Sequence, residues 1–179
     1  MTKLIILDRD GVINEDSDNY VRSTEEWLPL PGSIKAMARL HQAGFTVTVA
    51  TNQSGLARGY FDIETLNAMH AKMNALLSEE QGVVAAIKYC PHGPDDQCKC
   101  RKPLPGMVNE LIEEFQISPA ESWMVGDSLR DLQAGQAAGC NVALVKTGKG
   151  IRTLAKGEGL EDIPVFEDLA DFTHFILTD

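Results

Sequence analysis

Asp8 and Asp10 stand two residues apart at the end of the apolar run Leu4-Ile5-Ile6-Leu7, and Gly11 follows directly. Two close carboxylates repel one another unless a cation or a proton neutralises them. The pair therefore points to a divalent metal, to acid–base work, or to both; the plainer alternative is an Asp-rich turn capping the next element. Other reactive residues sit in similar places. Thr51 and Asn52 close a second apolar run, Arg101 and Lys102 come in the loop after a third, and Asp127 follows a fourth. Three carboxylates, a lysine, a hydroxyl and backbone N–H groups suit phosphoryl transfer. Carboxylates bind a hard cation such as Mg²⁺ through oxygen. The lysine and the cation offset phosphate charge in the transition state. One carboxylate remains as nucleophile, as in aspartyl-phosphate chemistry, and another can protonate the leaving oxygen and then deprotonate the attacking water. Singly, Lys102 reads as a surface lysine, Thr51 as a turn residue and Asp127 as a helix cap. Asp131 shares a helical face with Asp127; it either orients the metal site or Lys102, or is an ordinary solvated acid. Their joint occurrence at successive strand ends favours the chemical reading.

A second constellation is Cys90, His92, Cys98 and Cys100, spaced C-x-H-x5-C-x-C. Three thiolates and one imidazole saturate a tetrahedral Zn²⁺ and leave no position for substrate, so the site is expected to be structural. Its expected work is to pin a Gly- and Pro-rich loop and thereby place Arg101 and Lys102, which follow the last ligand. The alternative is a set of reduced, unliganded thiols. The spacing is not that of a nucleic-acid zinc finger. Cys140 stands apart and reads as a buried hydrophobe.

These residues need a scaffold that brings strand ends together. Apolar runs predict strands over 3–8, 45–50, 83–89, 123–125 and 141–145, with a short edge strand near 163–166. Helical patterns open at Ser33, closing at Gly44, and at Asp62, running toward Gly82; others cover about 105–116, Leu129–Gly139 and 168–177. Ser118 and Glu121 have capping-box spacing. His41 reads as a packed or surface residue. Residues 13–31 show no period and follow the acidic turn, which suits either a loop covering a site or a floppy surface segment. Strands alternating with helices imply an α/β fold: a doubly wound, Rossmann-like parallel sheet with helices on both faces. Residues 1–179 are expected to form a single domain, with the zinc-binding loop at about 90–103 inserted in it. Open sheets of this kind hold ligands beyond the carboxyl ends of their strands.

Composition narrows the partners. The chain has 179 residues, with Lys+Arg 16 against Asp+Glu 26, a formal net charge of −10. That balance argues against a nucleic-acid or anionic-membrane binder. No apolar run approaches the roughly 20 residues that span a bilayer. The start of the sequence lacks a signal-peptide pattern. Cytoplasm is the expected compartment and a monomer the expected state.

With these motifs in view, the sequence resembles the haloacid dehalogenase superfamily of phosphohydrolases. The resemblance rests on Asp8-Arg9-Asp10-Gly11-Val12, Thr51, Lys102, and Gly126-Asp127 with Asp131; it spans nearly the whole chain and leaves no room for a large cap domain. Within it, Leu7–Asn14, Thr51–Gly59 and Cys100–Met107 resemble the heptose bisphosphate phosphatases. The histidinol-phosphate phosphatases, which share the zinc loop, are the neighbouring alternative. The resemblance implies Mg²⁺-dependent removal of the 7-phosphate from a heptose 1,7-bisphosphate, a phosphorylated small-molecule substrate. It implies Asp8 as nucleophile and Asp10 as general acid/base, with Thr51 and Lys102 holding the phosphoryl group. Asp8, the main-chain carbonyl of Asp10, and Asp127 would bind Mg²⁺. Asp16 through Tyr20, Asn52, Gln53, Ser54 and Arg101 would contact substrate. An alternative of another kind is a receiver-like signalling module phosphorylated on Asp8. Asp10 argues against it, since an acid/base two residues away would hydrolyse the acyl phosphate.

Overall fold

The computed structural model describes residues 3–178. At its centre lies β1 (Leu4–Leu7), every residue of which is fully buried. The burial follows from position. β1 is flanked by β2 (Thr46–Asn52) and β4 (Ser122–Gly126), both parallel to it, with Leu7 opposite Val49 and Val125. β3 (Ala86–Cys90), β5 (Asn141–Val145) and β6 (Val165–Phe166) complete a six-stranded sheet of order β3-β2-β1-β4-β5-β6. Every pairing is parallel.

Helices cover both faces, which is why β1 is continuously apolar instead of alternating. Ile5 and Leu7 join one core with residues of α1 (Ser33–Gln42), α2 (Ile63–Glu79) and α6 (Leu169–Thr178). Leu4 and Ile6 join a second core with residues of α3 (Gly106–Phe115) and α4 (Leu129–Ala137). Each fully buried Leu or Ile contributes about 1.5–3 kcal/mol. That apolar anchor offsets the cost of the acidic residues at the end of β1.

From β1 the chain winds outward through β2 and β3, then returns to the other side of β1 as β4 and continues to β5 and β6. The reversal opens a crevice between the ends of β1 and β4, the usual ligand site of such sheets. Asp8 and Asp127 are the first residues after those two strands.

Several local expectations need correction. β2 runs on to Asn52, so Thr51 and Asn52 are its last residues and not a turn. β3 begins three residues later than its apolar run. The Ser118 segment is a single 3-10 turn at Pro119–Glu121, and Ser118 makes no side-chain cap; Ser122 Oγ donates to its carbonyl instead (2.9 Å). A capping box does exist, between Ser128 and Asp131 at the start of α4. A short helix, α5 (Gly150–Lys156), follows β5 in a stretch for which the sequence pattern predicts no element. The aperiodic stretch 13–31 is anchored to the fold: Ile13, Val21 and Trp27 belong to the first core. Lys72 Nζ, from α2, donates to the carbonyls of Thr24 (2.7 Å) and Trp27 (2.6 Å). His41 is exposed. Among the described residues no helix is long and apolar enough to cross a membrane.

Candidate active site

Lys102 reaches the end of β1 from the loop after β3, and its ammonium is buried. Its three N–H groups meet three acceptors: Asp8 Oδ1 at 3.0 Å, Asp131 Oδ1 at 2.7 Å and the Ala50 carbonyl at 2.8 Å. Burial works against the charge, but Asp131 and Asp8 outweigh it and hold Lys102 above the usual lysine range. Asp131 spends its other oxygen on Ser128, accepting from the amide (3.2 Å) and from Oγ (3.0 Å). Burial would raise its pKa; Lys102 and Ser128 together pull it below the ordinary value. Asp131 is therefore a buried holder of Lys102, not a solvated acid. Gly126 permits this arrangement, because a Cβ there would collide with the Asp131 side chain.

Asp8 and Asp127 face the same crevice. Burial, then repulsion from Asp131, pushes Asp8 up to about 7 despite Lys102. Burial, then repulsion from Asp8 and Asp131, pushes Asp127 up to about 9. Asp8 Oδ1 also accepts from the Arg9 amide (2.8 Å), and Asp127 Oδ2 accepts from the Lys149 amide (2.9 Å). Among the described residues no donor reaches Asp8 Oδ2 or Asp127 Oδ1. Carboxylate oxygens of Asp8, Asp127 and Asp131 lie within 4.8 Å of one another. An all-oxygen set with unneutralised repulsion and two unclaimed oxygens fits a hard divalent cation. Gly11 must be glycine here: its φ is +90°, and a Cβ would collide with Asp127 Oδ2.

Asp10 projects beside Asp8. Arg9 clamps it in a fork, Nε to Oδ1 at 2.9 Å and a terminal nitrogen to Oδ2 at 3.2 Å. Asn14 Nδ2 donates to Oδ1 (2.8 Å) and Gln53 Nε2 to Oδ2 (3.2 Å). Arg9 is fully buried, and its remaining terminal nitrogen lies 3.3 Å from His70 Nε2, on α2. Burial, then the nearby Arg9 charge, pushes His70 down to about 4, so its ring is neutral at physiological pH.

Asp8, Asp10, Lys102, Asp127 and Asp131 line a cleft of about 220 Å³ together with Asp16, Tyr20, Thr51, Asn52, Ser54 and Arg101. Gln53, expected to touch substrate, is instead buried beneath the cleft, where it donates to Asp10 and to Thr51 Oγ1 (2.9 Å). Asn52 lines the cleft, but both ends of its amide are engaged by the Lys102 main chain (3.0 and 3.1 Å). Asp16 lies 3.6 Å from Lys149 Nζ across the mouth. Tyr20 takes a left-handed conformation (φ 67°) and packs its ring on Tyr60, 5.1 Å between centroids.

The four expected zinc ligands converge. Cys90 Sγ is 3.7 Å from Cys98 Sγ and 3.0 Å from Cys100 Sγ; His92 Nδ1 is 3.5 Å from Cys90 Sγ and 3.3 Å from Cys100 Sγ. Zn–S bonds of about 2.3 Å require tetrahedral S···S edges of about 3.8 Å, so the cluster needs only a small expansion to hold the ion. Arg101 donates to the His92 carbonyl (3.2 Å), which ties the loop to the cleft.

Comparison with known proteins bears on this geometry. A family model described as HAD-hydrolase-like matches residues 99–172. The D-glycero-beta-D-manno-heptose-1,7-bisphosphate 7-phosphatase of Bordetella bronchiseptica is 60% identical over 168 residues, 94% of each chain. Its namesake in Pseudomonas aeruginosa is 56% identical over 167 residues, 93% of each chain. The crystal structure of the D,D-heptose 1.7-bisphosphate phosphatase from B. bronchiseptica, complexed with magnesium and phosphate, superposes with a TM-score of 0.96 at 57% identity, covering 98% of both chains. The chain belongs to the haloacid dehalogenase-like phosphatases. It is a phosphoric monoester hydrolase, which sets aside the receiver-like signalling alternative.

Three parts of this haloacid dehalogenase-like phosphatase site were not legible as such. Arg9 reads as the variable residue between two aspartates, and His70 as one more position on an apolar helix. The third is the segment after β5. Thr147 Oγ1 donates to the Gly11 carbonyl (2.7 Å), the Lys149 amide to Asp127, and Thr153 Oγ1 to the Asp127 carbonyl (2.8 Å). The glycines around Lys149 were the available signal of a close backbone approach.

Proposed function

We propose that this phosphatase removes the 7-phosphate of D-glycero-D-manno-heptose 1,7-bisphosphate through an aspartyl phosphate on Asp8. The product, the heptose 1-phosphate, would enter nucleotide-heptose synthesis for cell-surface polysaccharide. We place the enzyme in the cytoplasm, acting as a monomer. The observation that carries the reading is the Asp8 carboxylate. One oxygen is held by Lys102 and the Arg9 amide, and the other is free at the crevice between β1 and β4. The relatives supply the substrate, and their names carry the β anomer.

In the first step Asp8 attacks the phosphorus of the 7-phosphate. The acyl-phosphate bond forms as the bond to the sugar oxygen breaks, and Asp10 gives that oxygen a proton. Asp10 then takes a proton from a water that attacks the same phosphorus; the acyl-phosphate bond breaks, inorganic phosphate leaves, Asp8 returns to a carboxylate and Asp10 to its protonated form. Thr51 Oγ1 would donate to a phosphoryl oxygen, and Lys102, whose N–H groups Asp8, Asp131 and the Ala50 carbonyl engage, would hold the phosphoryl group by its charge. Asp8, the Asp10 main-chain carbonyl and Asp127 would hold Mg²⁺, which when bound offsets the charge on those oxygens. Cys90, His92, Cys98 and Cys100 would hold a structural Zn²⁺. Asp16, Tyr20 and Ser54 would contact the sugar, and Arg101, a planar fork suited to phosphate, the second phosphoryl group. Asn52 and Gln53 act one step back, positioning Lys102 and Asp10.

The test is kcat/KM with Mg²⁺ for the β and α heptose bisphosphates and for histidinol phosphate, since specificity resides in that ratio. Strong preference for the β-heptose bisphosphate is expected. Preference for histidinol phosphate would overturn the substrate while leaving the chemistry.

A further inference from the structure

We infer that His70 is a positioning residue for the leaving-group step: by accepting from Arg9 it fixes the guanidinium that in turn fixes the Asp10 carboxylate.

The argument starts with donors and acceptors. Arginine has five N–H donors and no acceptor. The 3.3 Å approach of an Arg9 terminal nitrogen to His70 Nε2 is therefore a hydrogen bond only if Nε2 presents its lone pair and Nδ1 carries the ring proton. Arg9 is fully buried, and its carboxylate partner Asp10 keeps 23% of its side chain exposed toward the cleft. The guanidinium is thus gripped at both ends, by Asp10 on the wet side and by His70 on the dry side. His70 is itself immobilised, because its helix neighbours Met69 and Met73 are fully buried in the first core. A chain of rigid contacts runs from the packed face of α2 to the group that must meet the leaving oxygen. The residues involved are 61 apart in sequence, so nothing local to the Asp8-Arg9-Asp10 turn could supply this support.

The consequence is specific to chemistry. A general acid must lie within hydrogen-bond reach of the oxygen it protonates. Asn14 and Gln53 each hold one Asp10 oxygen, and the Arg9 fork is the single side chain that grips both. Loosening that fork should harm the expulsion of a sugar alkoxide, which needs the proton. It should spare a nitrophenolate, which leaves without one.

The inference rests on the reading of Asp10 as general acid, so the experiment carries its own control. Measure kcat/KM, which reports the steps up to leaving-group departure, for the β-heptose bisphosphate and for p-nitrophenyl phosphate. Compare wild type with His70→Leu, His70→Gln and Asp10→Asn. His70→Leu should lower the sugar-phosphate value about tenfold or more, and the p-nitrophenyl phosphate value less than about threefold. His70→Gln, whose amide oxygen can accept from Arg9, should restore the sugar-phosphate value. Arg9→Lys, which keeps the charge and loses the fork, should repeat the pattern and serves in place of His70→Leu if that variant does not fold. Equal loss on both substrates, no loss on either, or failure of His70→Gln to restore activity would overturn the inference. If Asp10→Asn itself does not discriminate between the substrates, the acid role of Asp10 is what fails.

Discussion

At the scale of single residues, the site is a problem of charge. Asp8 and Asp131 share the buried Lys102, Asp127 stands beside them without a cation, and every N–H of that lysine is spoken for. Asp8 is left with one oxygen held and one free, as a nucleophile requires. Asp8→Asn should therefore lower kcat about 10⁴-fold or more, without lowering the melting temperature. Asparagine still accepts from Lys102, and the exchange removes a charge that Asp131 and Asp127 repel. Measurable turnover well above that level in a folded variant would contradict the nucleophile. His70 gives a second, independent readout. Its folded-state pKa is depressed from 6.5 to about 4, so the unfolded chain takes up the proton first. The resulting stabilisation is full above 6.5 and is lost as pH falls toward 4. The shift is worth about 3 kcal/mol at most. Thermal melts of wild type and His70→Gln from about pH 7 to about pH 4 should converge or cross in favour of the variant. Parallel melting curves would contradict a buried neutral ring.

Residue chemistry was legible to different depths for a physical reason. Asp8, Asp10, Lys102 and Asp127 end apolar runs or follow a metal-ligand cluster, so their context is written beside them. Arg9, His70 and Gln53 draw their roles from partners 43 to 61 positions away. No local pattern encodes such pairings.

At the scale of elements, the question is what holds the catalytic turns in place. The turn after β1 and the loop after β5 pack against each other, with Gly11 beside Asp127. Gly11→Ala should displace the Asp127 carboxylate. The expected result is a loss of Mg²⁺ affinity of at least about tenfold, read by activity against Mg²⁺ concentration. Unchanged Mg²⁺ dependence would contradict the close approach. The loop 90–103 meets the second core only through its three cysteines, Cys90, Cys98 and Cys100, the same residues that would bind the ion. Zn²⁺ removal should speed amide exchange across it and lower kcat through Lys102. Verified zinc-free protein with unchanged kcat would contradict a positioning role. Strand and helix order could be anticipated because short runs rich in apolar and β-branched residues alternate with helical periods. α5 could not: it has seven residues and buries only Gly150, and it touches the catalytic turns through Thr153 Oγ1, which donates to the Asp127 carbonyl, while Thr147 and Lys149 just before it make the other two bonds.

At the scale of the whole molecule, the doubly wound parallel sheet was readable from alternation alone. The point where its strand order reverses then places Asp8 and Asp127 together without further assumption. What alternation cannot encode is how loops without periodicity close the cleft. Loop 13–31 is fixed by Trp27 and by the Lys72 contacts, and Asp16 meets Lys149 across the mouth. With no large cap over the sheet, discrimination among phosphate esters falls to these loops and to Arg101. The central claim concerns which ester is cut, and phosphorus NMR of the β-heptose 1,7-bisphosphate incubated with enzyme and Mg²⁺ reads that directly. The account predicts loss of the 7-phosphate signal and growth of inorganic phosphate while the anomeric 1-phosphate signal persists. Loss of the 1-phosphate first, or of neither, would contradict it.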